Sequence, residues 1–269
     1  MKQRLIPGFA LIVTLAAGAI AHDLFLKFDS CFLKPFSSAK VRLLNGEFNR
    51  SKNTVDRERM RDVSVLSPSG LINPPQKEWR DAGPTSLLSF QTGVEGTYVV
   101  ALSTKAREID LQAAEFNHYL AHDGLPDILA ARIKNGELNN NVRERYSKHV
   151  KAIFQVGDKR TEDYKTSLDY PVEIILQQNP YDLRAGQTIA VKCLTEGKPI
   201  TNQFVLAGWQ AGSRLSPQIG VRTDPGGIAR FPLRAAGQWY IKFIYMEAAR
   251  EPSLDYESKW ASVTFEVKK

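Results

Sequence analysis

The residues that follow position 21 alternate short apolar runs with turn-forming residues, which predicts β structure. Leu24, Leu26 and Phe28 occupy every second position, and residues 97–102 are rich in β-branched and aromatic side chains. Short runs of this kind, separated by Gly, Pro, Asn and Ser, are typical of a β-sandwich. We therefore expect an N-terminal β domain over residues 22–105.

A helical spacing replaces this alternation in residues 106–165. Ala113, Phe116 and Leu120 recur every three or four positions, and the sequence Asp-Gly-Leu-Pro at 123–126 supplies a stop signal. A second, short helix is expected over residues 126–133. The same spacing predicts a third helix on Val142, Tyr146, Val150, Ile153 and Phe154. The segment is thus predicted to be a helical insert.

Residues 166–269 return to short β-like runs separated by tight turns. Residues 172–176 and 188–194 are apolar and β-branched, and Trp239, Ile241 and Phe243 alternate along a longer strand. Such strand density favours an immunoglobulin-like or transthyretin-like sandwich. The sequence therefore predicts a mainly β fold, with two immunoglobulin-like or transthyretin-like β-sandwich domains and a helical insert between them.

The chain begins with the three parts of a secretory signal. Lys2 and Arg4 give a positive start, residues 5–17 are largely apolar, and Ala19 and Ala21 are the small residues that signal peptidase requires. We expect residues 1–21 to be removed and the protein to be periplasmic or secreted, with no membrane span after cleavage. His22 would then be the mature N-terminus.

Charge makes nucleic acid an unsuitable partner. The formal net charge is +7, and loss of Lys2 and Arg4 with the signal lowers it by two. The basic clusters at residues 57–61 and 143–145 are interrupted by acids, which is typical of solvated faces and not of a phosphate-binding track. Glu144 is accordingly expected in a surface or inter-domain ion-pair cluster with Arg143 and Arg145.

The two cysteines leave two alternatives open. Cys31 and Cys193 could pair in an oxidising compartment, or both could be buried free thiols. The sequence also lacks the serine elbow, the paired-histidine zinc motif and the glycine-rich phosphate loop of common enzyme families. We therefore expect no enzymatic activity.

The chain contains four histidines, and their positions are the main sequence signal for metal binding. A terminal His22 offers an α-amine and an imidazole on one residue, and His118 and His122 share one helix face. Together these three residues would supply enough nitrogen donors for nickel, cobalt or copper. Alternatively, His118 and His122 are plain surface residues. His149, which lies between Lys148 and Lys151, is expected to be exposed and structural.

Several short stretches together carry a resemblance to a known family; they are residues 21–24, 116–120, 123–125, 143–151, 179–181, 197–199, 223–224 and 255–262. In these stretches the chain resembles domain-of-unknown-function family 4198, bacterial exported proteins formerly labelled nickel-uptake or cobalt-transport periplasmic components. The resemblance implies an exported two-part β protein whose mature N-terminal histidine corresponds to His22. It supplies no catalytic residue.

These observations lead to two functional hypotheses. The first is a periplasmic protein that binds nickel or cobalt, with copper as an alternative, through His22, His118 and His122. It would assist uptake of the ion together with a membrane transporter or an outer-membrane receptor. The second is a non-enzymatic β-sandwich module that binds a cell-envelope protein or carbohydrate.

Overall fold

The computed structural model describes residues 22–268 and shows a mainly β protein with three sheets and two α-helices. The expected fold class is therefore confirmed. The predicted signal segment, residues 1–21, lies outside the described residues, and so does Lys269.

A five-stranded antiparallel sheet contains the start of the described chain. Its strands are β1 (Leu24–Lys27), β3 (Ser38–Glu47), β4 (Arg50–Asn53), β7 (Trp79–Ala82) and β8 (Thr85–Gln91). Their order is β1-β3-β8-β7, and β4 forms a hairpin with β3. The β3–β4 hairpin therefore projects beside the beginning of β1.

The largest sheet has eleven strands. They are β2 (Phe32–Leu33), β5 (Met60–Ser67), β6 (Gly70–Ile72), β9 (Gly96–Thr104), β10 (Arg107–Leu111), β11 (Val142–Val156), β15 (Phe204–Ala211), β16 (Arg214–Leu215), β17 (Ile219–Arg222), β19 (Gly237–Ala248) and β20 (Tyr256–Val267). The main path is β16-β15-β19-β20-β11-β9-β5-β6. Residues from all three predicted segments thus share one sheet, and the predicted domain boundaries stay predictions.

The third sheet has four strands, and the remaining elements are short. The strands are β12 (Val172–Leu176), β13 (Thr188–Thr195), β14 (Lys198–Pro199) and β18 (Ile228–Pro232). Single 3-10 turns lie at Arg57–Arg59, Gln76–Glu78, Asp163–Lys165 and Pro180–Asp182. A continuous apolar core joins residues of all three sheets.

Two of the three expected helices are present, α1 (Ala113–His122) and α2 (Pro126–Asn135). Glu115 and Gln112 form a capping box at the start of α1, and Pro126 occupies the first turn of α2. Gly136 ends α2 with a φ of 71°, a conformation that glycine adopts without steric penalty. The stop signals in the sequence therefore mark both helices correctly.

The prediction of a third helix was wrong, because Val142–Val156 forms the long strand β11. This strand pairs in parallel with β20 and in antiparallel with β9 and β10. Both faces of its second half are buried, so apolar residues occur at nearly every position. Such a run contains fragments of helical spacing that have no structural meaning.

Strand β1 lies against the largest sheet as well as in its own. Ser262 and Thr264 of β20 donate side-chain hydrogen bonds to the carbonyl oxygens of Leu24 and Leu26, at 2.8 and 2.6 Å. The residues just before β1 are thereby held next to the centre of the large sheet. Within residues 22–268, neither helix has the length and apolar character needed to cross a membrane.

Candidate functional site

A cavity of about 460 Å³ lies where the start of the described chain meets α1 and β19. It is bordered by the beginning of β1, the β3–β4 hairpin, the end of α1 and the segment between β16 and β17. Its lining residues are His22, Asp23, Phe25, Gly46, Glu47, Phe48, Lys52, His122, Asp123, Leu215, Ser216, Pro217, Gln218, Tyr240 and Lys242. Two of the three predicted metal ligands therefore border the same space.

The backbone of His22 and Asp23 is fixed by two hydrogen bonds. The ammonium group of Lys148, on β11, donates to the carbonyl oxygen of His22. The backbone N–H of Gly46, in the β3–β4 hairpin, donates to the carbonyl oxygen of Asp23 at 2.9 Å. His22 is consequently held at the edge of the cavity by residues distant in sequence.

A buried ion cluster connects the three elements that meet at the cavity. Lys242 of β19 lies 2.5 Å from the carboxylate of Asp23 and 2.9 Å from that of Asp123, the residue that caps α1. Burial alone would lower the pKa of Lys242, but the attraction of the two carboxylates is larger and the net direction is upward. Lys242 therefore remains charged and joins the start of β1 to the end of α1.

His122 is the last residue of α1 and is followed directly by Asp123 of this cluster. His118 lies one turn earlier, and the two imidazole centroids are 5.4 Å apart. Both rings are exposed, and His118 does not border the cavity. The structure thus brings His22 and His122 to one space and leaves His118 beside His122 on the outer face of the helix.

The electrostatic surroundings of His22 favour its neutral form. Burial, followed by the positive charges of Lys52 and Lys148, lowers the pKa of its imidazole, while Asp123 has a smaller opposing effect. A neutral imidazole has a free nitrogen lone pair, which is the form that coordinates a metal ion. Lys52 also opposes the approach of a bare cation.

Side chains alone do not complete a metal site here. Within the described range 22–268, no three His, Cys, Asp or Glu side chains are arranged so that they could hold an ion. Two imidazoles and the α-amine of a processed His22 would supply three nitrogen donors from two residues. The remaining coordination positions of an octahedral or square-planar ion would need oxygen or nitrogen atoms from elsewhere.

The expectation that His149 is exposed was wrong. Its side chain is 3% exposed in the middle of β11, with Nδ1 2.9 Å from the hydroxyl of Ser103 and Nε2 3.0 Å from that of Ser147. Burial lowers its pKa to about 4. Since both ring nitrogens have hydrogen-bond partners, His149 is a core residue and no candidate ligand.

Glu144 is also buried, and not part of a surface cluster as its neighbours suggested. Ser258 donates to its Oε1 and the hydroxyl of Tyr119 lies 3.3 Å from the same atom, while Oε2 has no hydrogen-bond partner. Burial raises its pKa to about 7. Arg143 and Arg145 do form the expected surface pairs, with Glu108 at 3.0 and 2.7 Å.

Sequence reasoning missed the lysines that organise the cavity. Both Lys148 and Lys242 are almost fully buried. Lys242 lies between Ile241 and Phe243 in the middle of an apolar strand, where a charged residue requires a partner, and that signal was available in the sequence. Lys148 lies between Ser147 and His149, so the local pattern did not indicate its burial. Cys31 and Cys193 are both free and buried, so the structure shows the thiol alternative.

The chain is thus a mainly β protein with a cavity between its sheets and helices. Histidines and lysines both line this cavity. A family model described as "Domain of unknown function (DUF4198)" matches residues 19–247. The chain belongs to this family, which confirms the resemblance seen in the sequence. No curated protein matches the chain.

Solved structures with partial likeness include adhesion-protein and fibronectin type-III segments. The D0-D1 domain of Intimin is 12% identical with a TM-score of 0.22, covering 90% of this chain and 97% of that one. A tetra-tandem repeat from the extending region of a large adhesion protein is 10% identical with a TM-score of 0.25, covering 91% and 49%. A two-domain fibronectin type-III segment of chicken tenascin is 9% identical with a TM-score of 0.21, covering 92% and 98%. At these TM-scores the likenesses carry no argument about function.

Proposed function

We propose that this protein is exported and binds a late first-row transition metal as cargo, nickel or cobalt with copper as the alternative. The ion would be held by the amine and imidazole of a processed His22 and by the imidazole of His122. The single observation that supports this is that both histidines border one cavity, although they lie 100 positions apart in the sequence. Imidazole and amine nitrogens suit these ions.

The buried charges around the cavity hold in place the two segments that carry the proposed ligands. Lys148 fixes the backbone of His22, and the Asp23–Lys242–Asp123 cluster ties that segment to the end of α1 beside His122. Ligands that are positioned before the ion arrives lose less conformational entropy when they bind it. His118 would act as an auxiliary ligand or as a neighbour that captures the ion first.

Three nitrogen donors form a modest site, which suits delivery better than storage. The proposed role is accordingly binding and transfer to a membrane transporter or an outer-membrane receptor, without catalysis. Because the α-amine becomes a ligand only when His22 is the first residue, processing after Ala21 would create the site during export. The protein would therefore be loaded in the periplasm or outside the cell.

A second candidate function, an interaction module, is favoured by a different surface. Strand β6 is an edge of the largest sheet, and its Leu71 and Ile72 are 53% and 50% exposed. Ile72 borders a groove of about 390 Å³ together with Pro74, Pro75 and Phe90. An exposed apolar edge of this kind is typical of a surface that docks another protein.

Calorimetric titration of protein that begins at His22 tests the metal proposal. Nickel, cobalt, copper and zinc would be titrated into the wild type and into the His122→Ala and His118→Ala variants. Saturable binding that is weakened strongly by His122→Ala and slightly by His118→Ala supports the proposal. An absence of binding to all four ions contradicts it and favours the interaction module.

A further inference from the structure

The cavity is much larger than a metal ion needs. Its volume of about 460 Å³ falls within the range of about 300–1,000 Å³ typical of small-molecule sites. Water occupies about 30 Å³ per molecule in the liquid, so several waters around an ion would leave much of the space unfilled. The dimensions therefore suit an ion that is accompanied by an organic molecule.

The protein also supplies too few donor atoms for a complete coordination shell. The proposed site has three nitrogens, and no third His, Cys, Asp or Glu side chain completes it within residues 22–268. Nickel and cobalt accept further oxygen or nitrogen ligands beyond three. A chelating molecule would occupy those positions, and the protein nitrogens would take the ones that the chelator leaves open.

Lys52 indicates the charge of that molecule. It lies on the cavity wall in β4, exposed, and no carboxylate of the described residues pairs with it. Lys242, by contrast, is neutralised by Asp23 and Asp123. An unpaired ammonium beside His22 repels a bare cation but attracts an anionic complex. Glu47, at the end of the opposite strand of the hairpin, also borders the cavity, and a carboxylate accepts hydrogen bonds from hydroxyl or amine groups.

A buried aromatic cluster forms an apolar floor beneath the cavity. Phe25, Phe48 and Tyr240 form an aromatic cluster with ring centroids 4.8–5.3 Å apart, and all three border the cavity. The hydroxyl of Tyr240 accepts a hydrogen bond from the side-chain amide of Gln218 at 3.0 Å. A few polar groups above an apolar floor are characteristic of sites for small organic ligands.

We infer that the cavity receives its metal as a complex with a small organic carboxylate, whose free carboxylate pairs with Lys52. This inference rests on the proposed function, because the ion of the complex is the one that His22 and His122 bind. The ligand class is a hydroxy- or amino-carboxylate chelate of a divalent ion. Recognition would then involve both the ion and the chelator.

Equilibrium dialysis with radiolabelled citrate tests this inference on protein that begins at His22. Citrate alone, nickel alone and equimolar nickel–citrate are each dialysed against the wild type, and retained nickel and citrate are counted separately. We expect citrate to be retained in a one-to-one ratio with nickel, and at least tenfold less citrate to be retained without nickel. Lys52→Met should lower citrate retention about tenfold and leave retention of nickel alone undiminished.

A matched control and the remaining outcomes separate the inference from the proposed function. Lys40→Met removes an exposed lysine of β3 away from the cavity and should leave citrate retention unchanged. If dialysis of the nickel–citrate mixture leaves nickel on the protein without citrate, the inference is overturned while the proposed function stands. Citrate retained equally well without nickel also overturns it. If nickel is retained in neither form, the proposed function fails and the inference fails with it.

Discussion

Two buried lysine–carboxylate clusters lie in the same sheet, and they differ in what surrounds them. Lys151 of β11 pairs with Glu173, and their side chains are 5% and 2% exposed. Glu173 also accepts hydrogen bonds from Ser167 at 2.7 Å and from two backbone N–H groups at 3.0–3.1 Å. Lys242 is equally buried at 3%, but Asp23 and Asp123 are 18% and 21% exposed and border the cavity.

This difference distinguishes a purely structural ion pair from an ion cluster that belongs to a candidate binding site. Every oxygen of Glu173 is satisfied by protein groups, so that cluster holds the segment before β12 in place. The carboxylates around Lys242 keep an open side, and each is adjacent in sequence to a histidine that borders the cavity. The histidines differ in the same way. Both ring nitrogens of His149 have serine hydrogen-bond partners, whereas His22 and His122 border the cavity.

The largest effect is expected from removing each buried lysine. Lys151→Met and Lys242→Met each leave carboxylates without their cation, which costs roughly 3–5 kcal/mol for a fully buried pair and less where the acids are partly exposed. Urea unfolding should therefore show the larger loss for Lys151→Met. Nickel affinity should fall in Lys242→Met alone, and Lys242→Arg should retain most of it. Unchanged affinity in a folded Lys242→Met variant would contradict the assigned difference.

Opposite pH dependences are expected from two other buried groups. Burial holds the pKa of His149 at about 4 in the folded protein against an ordinary value of 6.5, so the unfolded chain binds more protons between these values and stability rises with pH. Burial raises the pKa of Glu144 from 4.5 to about 7, so the folded protein binds more protons and stability falls with pH. Each effect amounts to roughly 3 kcal/mol over its window.

Single variants should reveal these opposed effects, which nearly cancel in the wild type between pH 4.5 and 6.5. The free energy of unfolding of Glu144→Gln should rise with pH across this range, and that of His149→Gln should fall. Urea titrations at half-unit intervals measure both slopes. Parallel curves for the two variants would show that the burial argument is wrong.

A smaller effect, specific to binding, is expected for the cavity histidines. His22→Ala and His122→Ala should each lower nickel affinity at least tenfold, about 1.4 kcal/mol, with little change in unfolding free energy, because both rings lie near solvent. His149→Gln is the matched control and should change stability without changing affinity. Calorimetry and urea unfolding on the same samples distinguish these outcomes. Equal loss of affinity in all three variants would contradict the distinction between core and cavity histidines.

The smallest effect is expected for a lysine–glutamate pair that is exposed to solvent. Lys259 and Glu196 lie 3.0 Å apart with side chains 25% and 65% exposed. Exposed pairs contribute about 0.2–1 kcal/mol because water screens them. Lys259→Met should therefore change unfolding free energy by less than about 1 kcal/mol, and a loss as large as that of Lys151→Met would disprove the role given to burial.

Local sequence signals were sufficient for much of the fold and for part of the site. The stop at residues 123–126 and the glycine at position 136 mark the ends of α1 and α2 because they act within a few residues. Strand β11 was mistaken for a helix because burial on both faces removes the alternation that identifies a strand. Its identity depends on pairing with β20 and β9, which the local pattern does not contain.

The site shows the same division between local and tertiary information. The neighbouring pair His118 and His122 follows from helix geometry, and His22 follows from the expected cleavage position. That His122 and not His118 borders the cavity depends on the way Lys242 ties Asp123 to Asp23. No spacing in the sequence connects residues 23, 123 and 242, so this arrangement required the structure.

The most direct test of the central claim compares two N-termini of the same protein. Nickel would be titrated by calorimetry into protein that begins at His22 and into protein with one alanine added before His22, with a single alanine added at the C-terminus as the control. The account predicts saturable binding by the first and by the control, and at least tenfold weaker binding when the α-amine is displaced from His22. Equal affinity for all three, or no binding by any, would contradict a metal site built on the terminal histidine.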